Sequence, residues 1–487
     1  MNRDPGNDAV VTSRYQQVVV GLSTCIFAAV LLAHFGLIGI GQWQADEYGD
    51  FARSAHRLAA FLDRLTWSPR PLSEAVLAAY GRMTLHFQQP LTAAFLGVLW
   101  IGFFLSGLAI FIDNKEDRHE RAAIGLTGLA LMAAFLTTNR LTEVFYWPVG
   151  AAAYLPTLSA SLYLFLSVAR GALGNSAGRL RCGIALLCAA LCSETGAFLA
   201  ISCAVVAAIS TAVGKAHRAQ GRVARPLGWV LWPAVPAMLV LLVARLYRFR
   251  LYENRLSESS ATFGHPAASA TAALSELVTA LLGPGKHGLI VFNLEFLSVA
   301  LLALGVGLLW STRGPFPPTH RDDLLGLALA LLLGGFLTLA ASHLHLGAEA
   351  GERHVVIARC WVKLAAASAM IVVLSLPRFQ RLRRLSLPLA AAAVCLLGGV
   401  LVSWHVKPLL REYSAYGTIR STIKANFQSG FTPGGDTIEW VLPPNRGVIT
   451  PATIAPATYN RDSASGYPAY ILFYFDKKSI VVRNGPR

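Results

Sequence analysis

A succession of long apolar runs is the feature that most constrains how this chain can fold. Nine of these runs are each long enough to cross the ~30 Å hydrocarbon core of a bilayer as a helix. A tenth run, 182–213, is too long for one upright helix and is interrupted at Ser193-Glu194-Thr195-Gly196, so we expect two helices joined there. The pattern therefore predicts an all-α polytopic membrane protein with about eleven transmembrane helices. The nine runs lie at 18–41, 91–112, 122–138, 145–169, 228–246, 287–310, 324–342, 355–377 and 388–404.

The distribution of charge supports a membrane protein and predicts its orientation. Charged residues make up only 14% of the chain, against ~25% in globular proteins. Lysine and arginine concentrate in alternate gaps between the runs, as cytoplasmic loops do, so we place the N-terminus in the cytoplasm. This clustering explains the formal net charge of +16 without a nucleic-acid partner. Arg245, Arg248 and Arg250 are an exception, because they fall at the outer end of a predicted span.

The outer loop 42–90 is predicted to hold two amphipathic helices that lie on the membrane surface. In the first, Phe51, Leu58, Leu62 and Leu65 share one helical face. The second begins after Pro69-Arg70-Pro71, because proline suits the first turn of a helix. Its aligned apolar residues are Leu72, Val76, Tyr80, Met83 and Phe87.

Two further segments are not expected to span the membrane. Residues 247–286 are polar and rich in serine and alanine, which predicts an outer loop. The tail 405–487 is rich in Pro, Gly and Thr, and its alternating runs at 440–442 and 470–475 predict a small β-containing cap. We therefore divide the chain into a membrane domain, 1–404, and a non-cytoplasmic tail domain, 405–487.

The first candidate site is the acidic pair Asp46-Glu47, which follows the first span and precedes Tyr48. Paired carboxylates at the outer membrane surface suit a general base or the binding of a divalent cation. Acids also favour helix N-termini, so the pair could equally cap the surface helix that follows.

Two further glutamates lie at apolar boundaries. Glu143 precedes Tyr146 and Trp147, and a carboxylate flanked by aromatic rings suits a sugar. The aromatic residues alone would also fit an interfacial belt. Glu194 either caps the second half-helix beside Ser193 or points into a polar cavity at the helix break.

Arginine and histidine near the outer ends of helices are candidates for binding a phosphate. Arg353 and the adjacent His354 could hold a lipid phosphate, since guanidinium makes bidentate contacts with phosphate, although Arg353 could instead snorkel to headgroups. Arg70 offers a second guanidinium, unless its segment is only a helix-breaking turn. Arg359 either joins this set or pairs with a buried acid. No resident metal site is predicted from the histidines, because His343-Leu344-His345 has the wrong spacing for a helix.

The order of these elements resembles the GT-C superfamily of membrane glycosyltransferases, and it looks most like the bacterial Gtr-type transferases that modify O-antigen and related surface glycans. The resemblance is architectural and covers roughly residues 18–404, leaving the tail outside it. Asp-Glu stands where the family commonly has paired aspartates, which leaves open which carboxylate is the base. The residues that carry the resemblance are Asp46-Glu47-Tyr48, Trp67 to Arg70, Glu143-x-x-Tyr146-Trp147-Pro148-x-Gly150, Ser193-Glu194 and Arg353.

The resemblance implies transfer of a sugar from a polyprenyl-phosphate donor to a glycan or lipid-linked acceptor on the outer face of the bacterial inner membrane. Asp46 or Glu47 would be the base, with or without a divalent cation, and arginines such as Arg70 or Arg353 would stabilise the leaving phosphate. Glu143, Tyr146, Trp147, Glu194 and His354 would line the substrate pocket.

Two other functions fit parts of the pattern. A secondary transporter or lipid flippase would use embedded carboxylates for protons or cations, although such proteins often have duplicated halves and this chain has no internal repeat. An O-antigen ligase or polymerase would instead use pyrophosphate-linked chains. The sequence contains no Walker loop, HExxH or GxSxG motif, so it gives no support for the enzyme classes that these motifs mark.

Overall fold

The computed structural model describes residues 5–43, 47–49, 58–108, 118–137, 141–216, 227–256, 264–282, 294–311, 316–346, 351–379, 386–444, 448–449 and 454–485. These residues are mostly helical, with a small sheet near the C-terminus. Asp46 lies outside the described residues, and so does Phe51 of the first predicted surface helix.

The described residues form fifteen α-helices and three strands. The helices are α1 (Pro5–Gly36), α2 (Leu58–Trp67), α3 (Pro71–Phe87), α4 (Thr92–Leu108), α5 (Arg118–Phe135), α6 (Pro148–Ala169), α7 (Ser176–Cys192), α8 (Glu194–Ala216), α9 (Gly228–Leu256), α10 (Pro266–Leu282), α11 (Leu294–Ser311), α12 (Pro318–Leu346), α13 (Glu352–Ser375), α14 (Ser386–Phe431) and α15 (Tyr467–Phe475). The strands are β1 (Thr437–Leu442), β2 (Thr458–Asn460) and β3 (Ser479–Asn484).

Seven stretches of helix in the described part of the chain are long and apolar enough to cross a membrane, which supports a multi-pass membrane protein. The count of about eleven spans stays a prediction, because the other four predicted spans are helices α4, α5, α7 and α11 of only 17 or 18 residues. At 1.5 Å per residue such helices reach about 26 Å, near the lower limit for a span. The seven stretches are Val20–Ile40, Pro148–Ala169, Glu194–Val213, Gly228–Leu246, Pro318–His345, Glu352–Ser375 and Leu389–Phe431.

The break predicted within 182–213 is confirmed at Ser193, between α7 and α8. The Ser193 backbone is extended (φ −157°, ψ 154°), and its hydroxyl caps α8 by accepting a hydrogen bond from the Gly196 amide at 2.9 Å. Gly196 lets the two helices approach closely, since a Cβ atom there would lie 2.0 Å from the Ala189 carbonyl oxygen. Glu194 is therefore the first residue of α8, at the tip of a helical hairpin.

Buried tryptophans join the central helices through their indole N–H groups. Trp361 of α13 donates to the Ser161 hydroxyl of α6 at 2.8 Å, and Trp310 of α11 donates to the Thr127 hydroxyl of α5 at 3.1 Å. Such side chains combine a large apolar contact area with one satisfied polar atom. The packed core therefore lies between these helices.

The second predicted amphipathic helix is confirmed as α3, and part of its predicted apolar face points away from the protein. Leu72, Val76, Met83 and Phe87 are exposed, whereas Tyr80 is buried. The face turned to the protein instead carries Ser73, Glu74, Leu77, Gly81 and Thr84. An outward apolar stripe fits the predicted position of this helix on a membrane surface.

Most of the described residues in the predicted outer loop 247–286 are helical. Helix α9 continues to Leu256, and 266–282 form α10, which packs on α12 and α13. The serine and alanine content that suggested a loop suits this helix, because alanine has the highest helix propensity and small residues allow close packing. Ala273 is fully buried against Leu339 and Ala358.

The tail holds a small three-stranded sheet in the order β1-β3-β2, with β1 and β3 parallel and β2 antiparallel to β3. Residues 440–442 lie in β1 as predicted. The expected strand over 470–475 is wrong, since Tyr467–Phe475 form helix α15, with proline in its first turn and Asp476 ending it in the left-handed region (φ 53°). The predicted domain boundary after residue 404 falls inside α14, a single helix of 46 residues.

Candidate functional site

A cavity of about 340 Å³ lies where several helices end on the same side of the bundle. The first turns of α3, α6, α8 and α13 line it, together with the middle of α9 and the C-terminal part of α12. Helix N-termini carry partial positive charge, so four of them around one cavity favour an anion.

Five of the predicted site residues meet in this cavity. They are Arg70, Trp147, Glu194, Arg353 and His354. Glu143 and Tyr146 do not line it, and Glu47 lies just behind its wall, bonded to Trp147 and Val149. The cavity is also lined by residues that the sequence did not single out as site residues, among them Arg64, Glu74, Arg245, Thr338 and Ser342.

Arg70 and Glu194 form an ion pair across the cavity wall, with 2.6 Å between Arg70 Nε and Glu194 Oε2. Arg70 stands immediately before α3, where the Pro69-Arg70-Pro71 turn directs it toward the helical hairpin. Burial tends to lower the pKa of the Arg70 guanidinium, but attraction to Glu194, Tyr154 and Glu74 outweighs it and raises the pKa above its usual value. Arg70 therefore keeps its charge.

A second ion pair joins the last turn of α2 to the first turn of α3. Glu74, which is buried, accepts hydrogen bonds from Arg64 and from the Ser68 hydroxyl, the latter at 2.6 Å. The pair fixes the turn that carries Arg70. An acid on the inward face of an amphipathic helix is the sequence signal that could have identified Glu74.

Two guanidinium groups lie over aromatic rings inside the cavity. The Arg353 Cζ atom is 5.7 Å from the centroid of Trp147 and 5.8 Å from that of Tyr154. The Arg70 Cζ atom is 5.6 Å from the Tyr154 centroid. These distances are typical of cation–π contacts, which hold a cation in place without using its N–H donors. Arg353 is therefore held at the cavity wall by its contacts with two aromatic rings.

His354 is oriented by two neighbours. Its Nδ1 atom is 2.9 Å from the Ser342 hydroxyl, which also accepts a hydrogen bond from the Gly351 amide at 3.0 Å. Its Nε2 atom lies 3.4 Å from the Tyr154 hydroxyl. Helices α6, α12 and α13 thus share one polar network at the cavity. The sequence did not reveal this network, because Ser342 is a short polar residue within a long apolar helix.

Arginines outnumber glutamates among the described residues that line the cavity, with four of the former and two of the latter. Arg245, the exception to the positive-inside pattern, is one of the four. Apolar side chains such as Phe198, Leu241 and Leu344 complete the wall. The cavity is therefore suited to a molecule with an anionic group and an apolar part.

Glu47 is completely buried, and both of its carboxylate oxygens accept hydrogen bonds from the chain at the start of α6. Trp147 Nε1 donates to Oε2 at 2.7 Å, and the Val149 amide donates to Oε1 at 3.2 Å. Glu47 thus caps a helix, as one interpretation of the acidic pair expected. The capped helix is α6, however, and its bonding residue Trp147 lies 100 residues away in sequence. Asp46 lies outside the described residues.

Tyr146 belongs to the core between α1 and α14. Its hydroxyl is 2.6 Å from His34 Nδ1, and His34 Nε2 is 2.9 Å from His405 Nδ1. All three side chains are buried. Glu143 lies in the short π-helix Thr142–Tyr146 that precedes α6, partly exposed and apart from the cavity lining.

The remaining charged candidates lie elsewhere. Arg359 pairs with the buried Glu295 at 3.2 Å, as one of its two predicted roles required, and His343 lies 3.3 Å from Glu276. Within the described ranges, no group of three or more His, Cys, Asp or Glu is placed to hold a metal ion. A divalent cation bound by Asp46 and Glu47 stays a prediction.

Comparisons of the chain with known protein families, with curated proteins and with solved structures find no match.

Proposed function

We propose that this protein is a membrane glycosyltransferase that moves a sugar from a polyprenyl-phosphate donor to a hydroxyl of a glycan or lipid-linked acceptor. The observation that carries the proposal is the cavity in which Arg70 and Arg353 lie over aromatic rings beside Glu194. Guanidinium groups suit a phosphate, and aromatic rings with a carboxylate suit a sugar. The GT-C resemblance supports the same assignment.

The apolar part of the cavity supports a lipid-linked donor over a soluble one. Leu241 and Ala244 of α9 line the cavity, while the neighbouring Leu239, Leu242 and Leu246 are exposed on the apolar outer surface of that helix. The exposed apolar stripe of α3 begins at Leu72, two residues after Arg70. A polyprenyl chain in the bilayer could therefore lie against α9 and α3 while its phosphate reaches the arginines.

In the proposed reaction, the acceptor hydroxyl oxygen attacks the anomeric carbon of the donor sugar. The bond between that carbon and the phosphate oxygen breaks, and its electron pair leaves with the lipid phosphate. Arg353 and Arg70 stabilise the negative charge on that phosphate. The hydroxyl proton passes to a carboxylate, for which Asp46 is the proposed base. The active site would face the outer side of a bacterial inner membrane.

The proposal is tested by reconstituting the purified protein in nanodiscs with a radiolabelled polyprenyl-phosphate sugar and a lipopolysaccharide acceptor. We expect transfer of the label, with kcat/KM lowered roughly 10- to 100-fold in Arg353→Gln through loss of charge-assisted hydrogen bonds to phosphate. The exposed Arg82, on the far side of α3, provides the control Arg82→Gln, which should leave transfer unchanged.

Three results would contradict the proposal. Proton-driven solute uptake by proteoliposomes, without turnover of the lipid donor, would identify a transporter. Transfer only from a polyprenyl-diphosphate glycan would identify a ligase or polymerase. Equal rates for Arg353→Gln and Arg82→Gln would remove the phosphate-binding role of the cavity.

A further inference from the structure

Glu47 lies behind the wall of the cavity. Its carboxylate accepts N–H hydrogen bonds from Trp147 and Val149, and both of those residues line the cavity, whereas Glu47 itself is fully buried. A general base must direct a lone pair at the proton it removes. The geometry of Glu47 directs its oxygens at the start of α6.

The two hydrogen bonds have different consequences. Val149 is the second residue of α6, and Trp147, the residue at its N-cap position, makes no side-chain cap hydrogen bond of its own. Glu47 therefore supplies the negative charge that a helix N-terminus favours. The bond to Nε1 fixes the plane of the Trp147 indole, and the Arg353 guanidinium rests on that ring.

The C-terminal part of the chain packs against residues on either side of Glu47. The adjacent Tyr48 is buried against Trp440 (ring centroids 5.9 Å apart) and Tyr474 (5.6 Å). The Tyr467 hydroxyl donates to the Trp43 carbonyl oxygen at 3.0 Å, just before the acidic segment. We call the segment 437–485 the cap.

The contact at Gly49 shows how closely the cap approaches the segment 47–49. A Cβ atom at that position would lie 2.8 Å from a ring carbon of Tyr470 in α15. The segment 47–49 is therefore held between the cap on one side and the start of α6 on the other.

We infer that Glu47 is a positioning residue, which orients Trp147 and through it Arg353, and that the cap holds Glu47 in place. The inference rests on the proposed function, because it takes Arg353 to bind a lipid phosphate. It gives the tail, which lies outside the GT-C resemblance, a role in the site. It also separates the acidic pair, leaving Asp46 as the proposed base.

A double-mutant cycle tests this role by a readout other than turnover. The ligand is farnesyl phosphate, and its Kd is measured in detergent for the wild type, Glu47→Gln, Trp147→Phe and the double variant. Glu47→Gln keeps the side-chain size and weakens the hydrogen bond to the indole. Trp147→Phe keeps an aromatic ring, though a smaller one, and removes that bond. We expect each to raise Kd about tenfold, and the double variant to raise it by about the same factor, not by the product.

The outcomes separate this inference from the proposed function. No binding by the wild type would overturn both. Binding by the wild type that is unchanged in Glu47→Gln, with sugar transfer abolished, would make Glu47 a base and overturn the positioning role alone. Multiplying effects in the double variant would also overturn it.

Folding is checked by circular dichroism and gel filtration. If Glu47→Gln does not fold, Tyr467→Phe replaces it, because that variant removes only the hydroxyl that bonds to the Trp43 carbonyl. An unchanged Kd in Tyr467→Phe would then overturn the role of the cap.

Discussion

The ion pair between Arg70 and Glu194 is expected to contribute strongly to stability as well as to the cavity. Both side chains are about nine-tenths buried, at 10% and 12% exposure. Two unit charges about 4 Å apart interact by ~4 kcal/mol at an effective dielectric constant of 20, and removing one partner of a buried pair typically costs ~3–5 kcal/mol. The cavity gives Arg70 some access to water, so we expect Glu194→Gln to lower the free energy of unfolding by about 3 kcal/mol.

The chain provides a matched control for this prediction. Arg461 and Asp476 are also 2.6 Å apart, but their side chains are 41% and 86% exposed. Asp476 ends α15 in the left-handed region, which asparagine tolerates, so Asp476→Asn should cost well under 1 kcal/mol. The two ion pairs thus have the same distance between nitrogen and oxygen and differ in burial.

The assay is equilibrium unfolding in mixed micelles with increasing dodecyl sulfate, followed by far-ultraviolet circular dichroism. The double variant Arg70→Gln/Glu194→Gln should be more stable than Glu194→Gln alone, since it also removes the Arg70 charge that has lost its partner Glu194. Equal costs for Glu194→Gln and Asp476→Asn would refute the reasoning that burial decides the contribution of the pair. So would a double variant less stable than the single one.

Two further predictions concern the cap and the core. Gly49→Ala should loosen the cap, because the new Cβ atom collides with Tyr470. Limited proteolysis should then cut the cap faster than in the control Gly21→Ala, whose Cβ atom meets nothing within 4 Å. Equal cleavage rates would show that the contact between Gly49 and Tyr470 is not tight. Lys363→Met should lower the free energy of unfolding by about 1–3 kcal/mol, because the buried ammonium donates 2.7 Å hydrogen bonds to the Ala134 carbonyl and the Thr137 hydroxyl at the end of α5. An unchanged unfolding midpoint in the same micelle assay would contradict it.

Local patterns in the sequence identified features that depend on near neighbours. The break at Ser193 and the start of α3 at Pro71 follow from capping chemistry and proline geometry, which act within one helical turn. The second role considered for Arg359, pairing with a buried acid, follows from the high cost of an isolated charge among apolar residues. Such rules need no knowledge of the fold.

Contacts between distant segments could not be read in the same way. Glu47 accepts a hydrogen bond from Trp147, and nothing near either residue in the sequence specifies the other. Tyr146 follows Glu143 closely in the sequence, yet the turn into α6 sends its ring toward His34 in the core and not into the cavity. Alternation alone also failed over 470–475, which lies in helix α15, because short apolar runs do not distinguish a helix from a strand.

The uninterrupted helix α14 sets a strict length requirement on the chain. It runs through the bundle and ends shortly before strand β1, which begins the cap. Near its end, the ring centroid of Phe427 lies 5.2 Å from that of Trp43. Each residue inserted between its two ends would turn the cap by about 100° and shift it by about 1.5 Å. The amino-acid composition of α14 can therefore change far more freely than its number of residues.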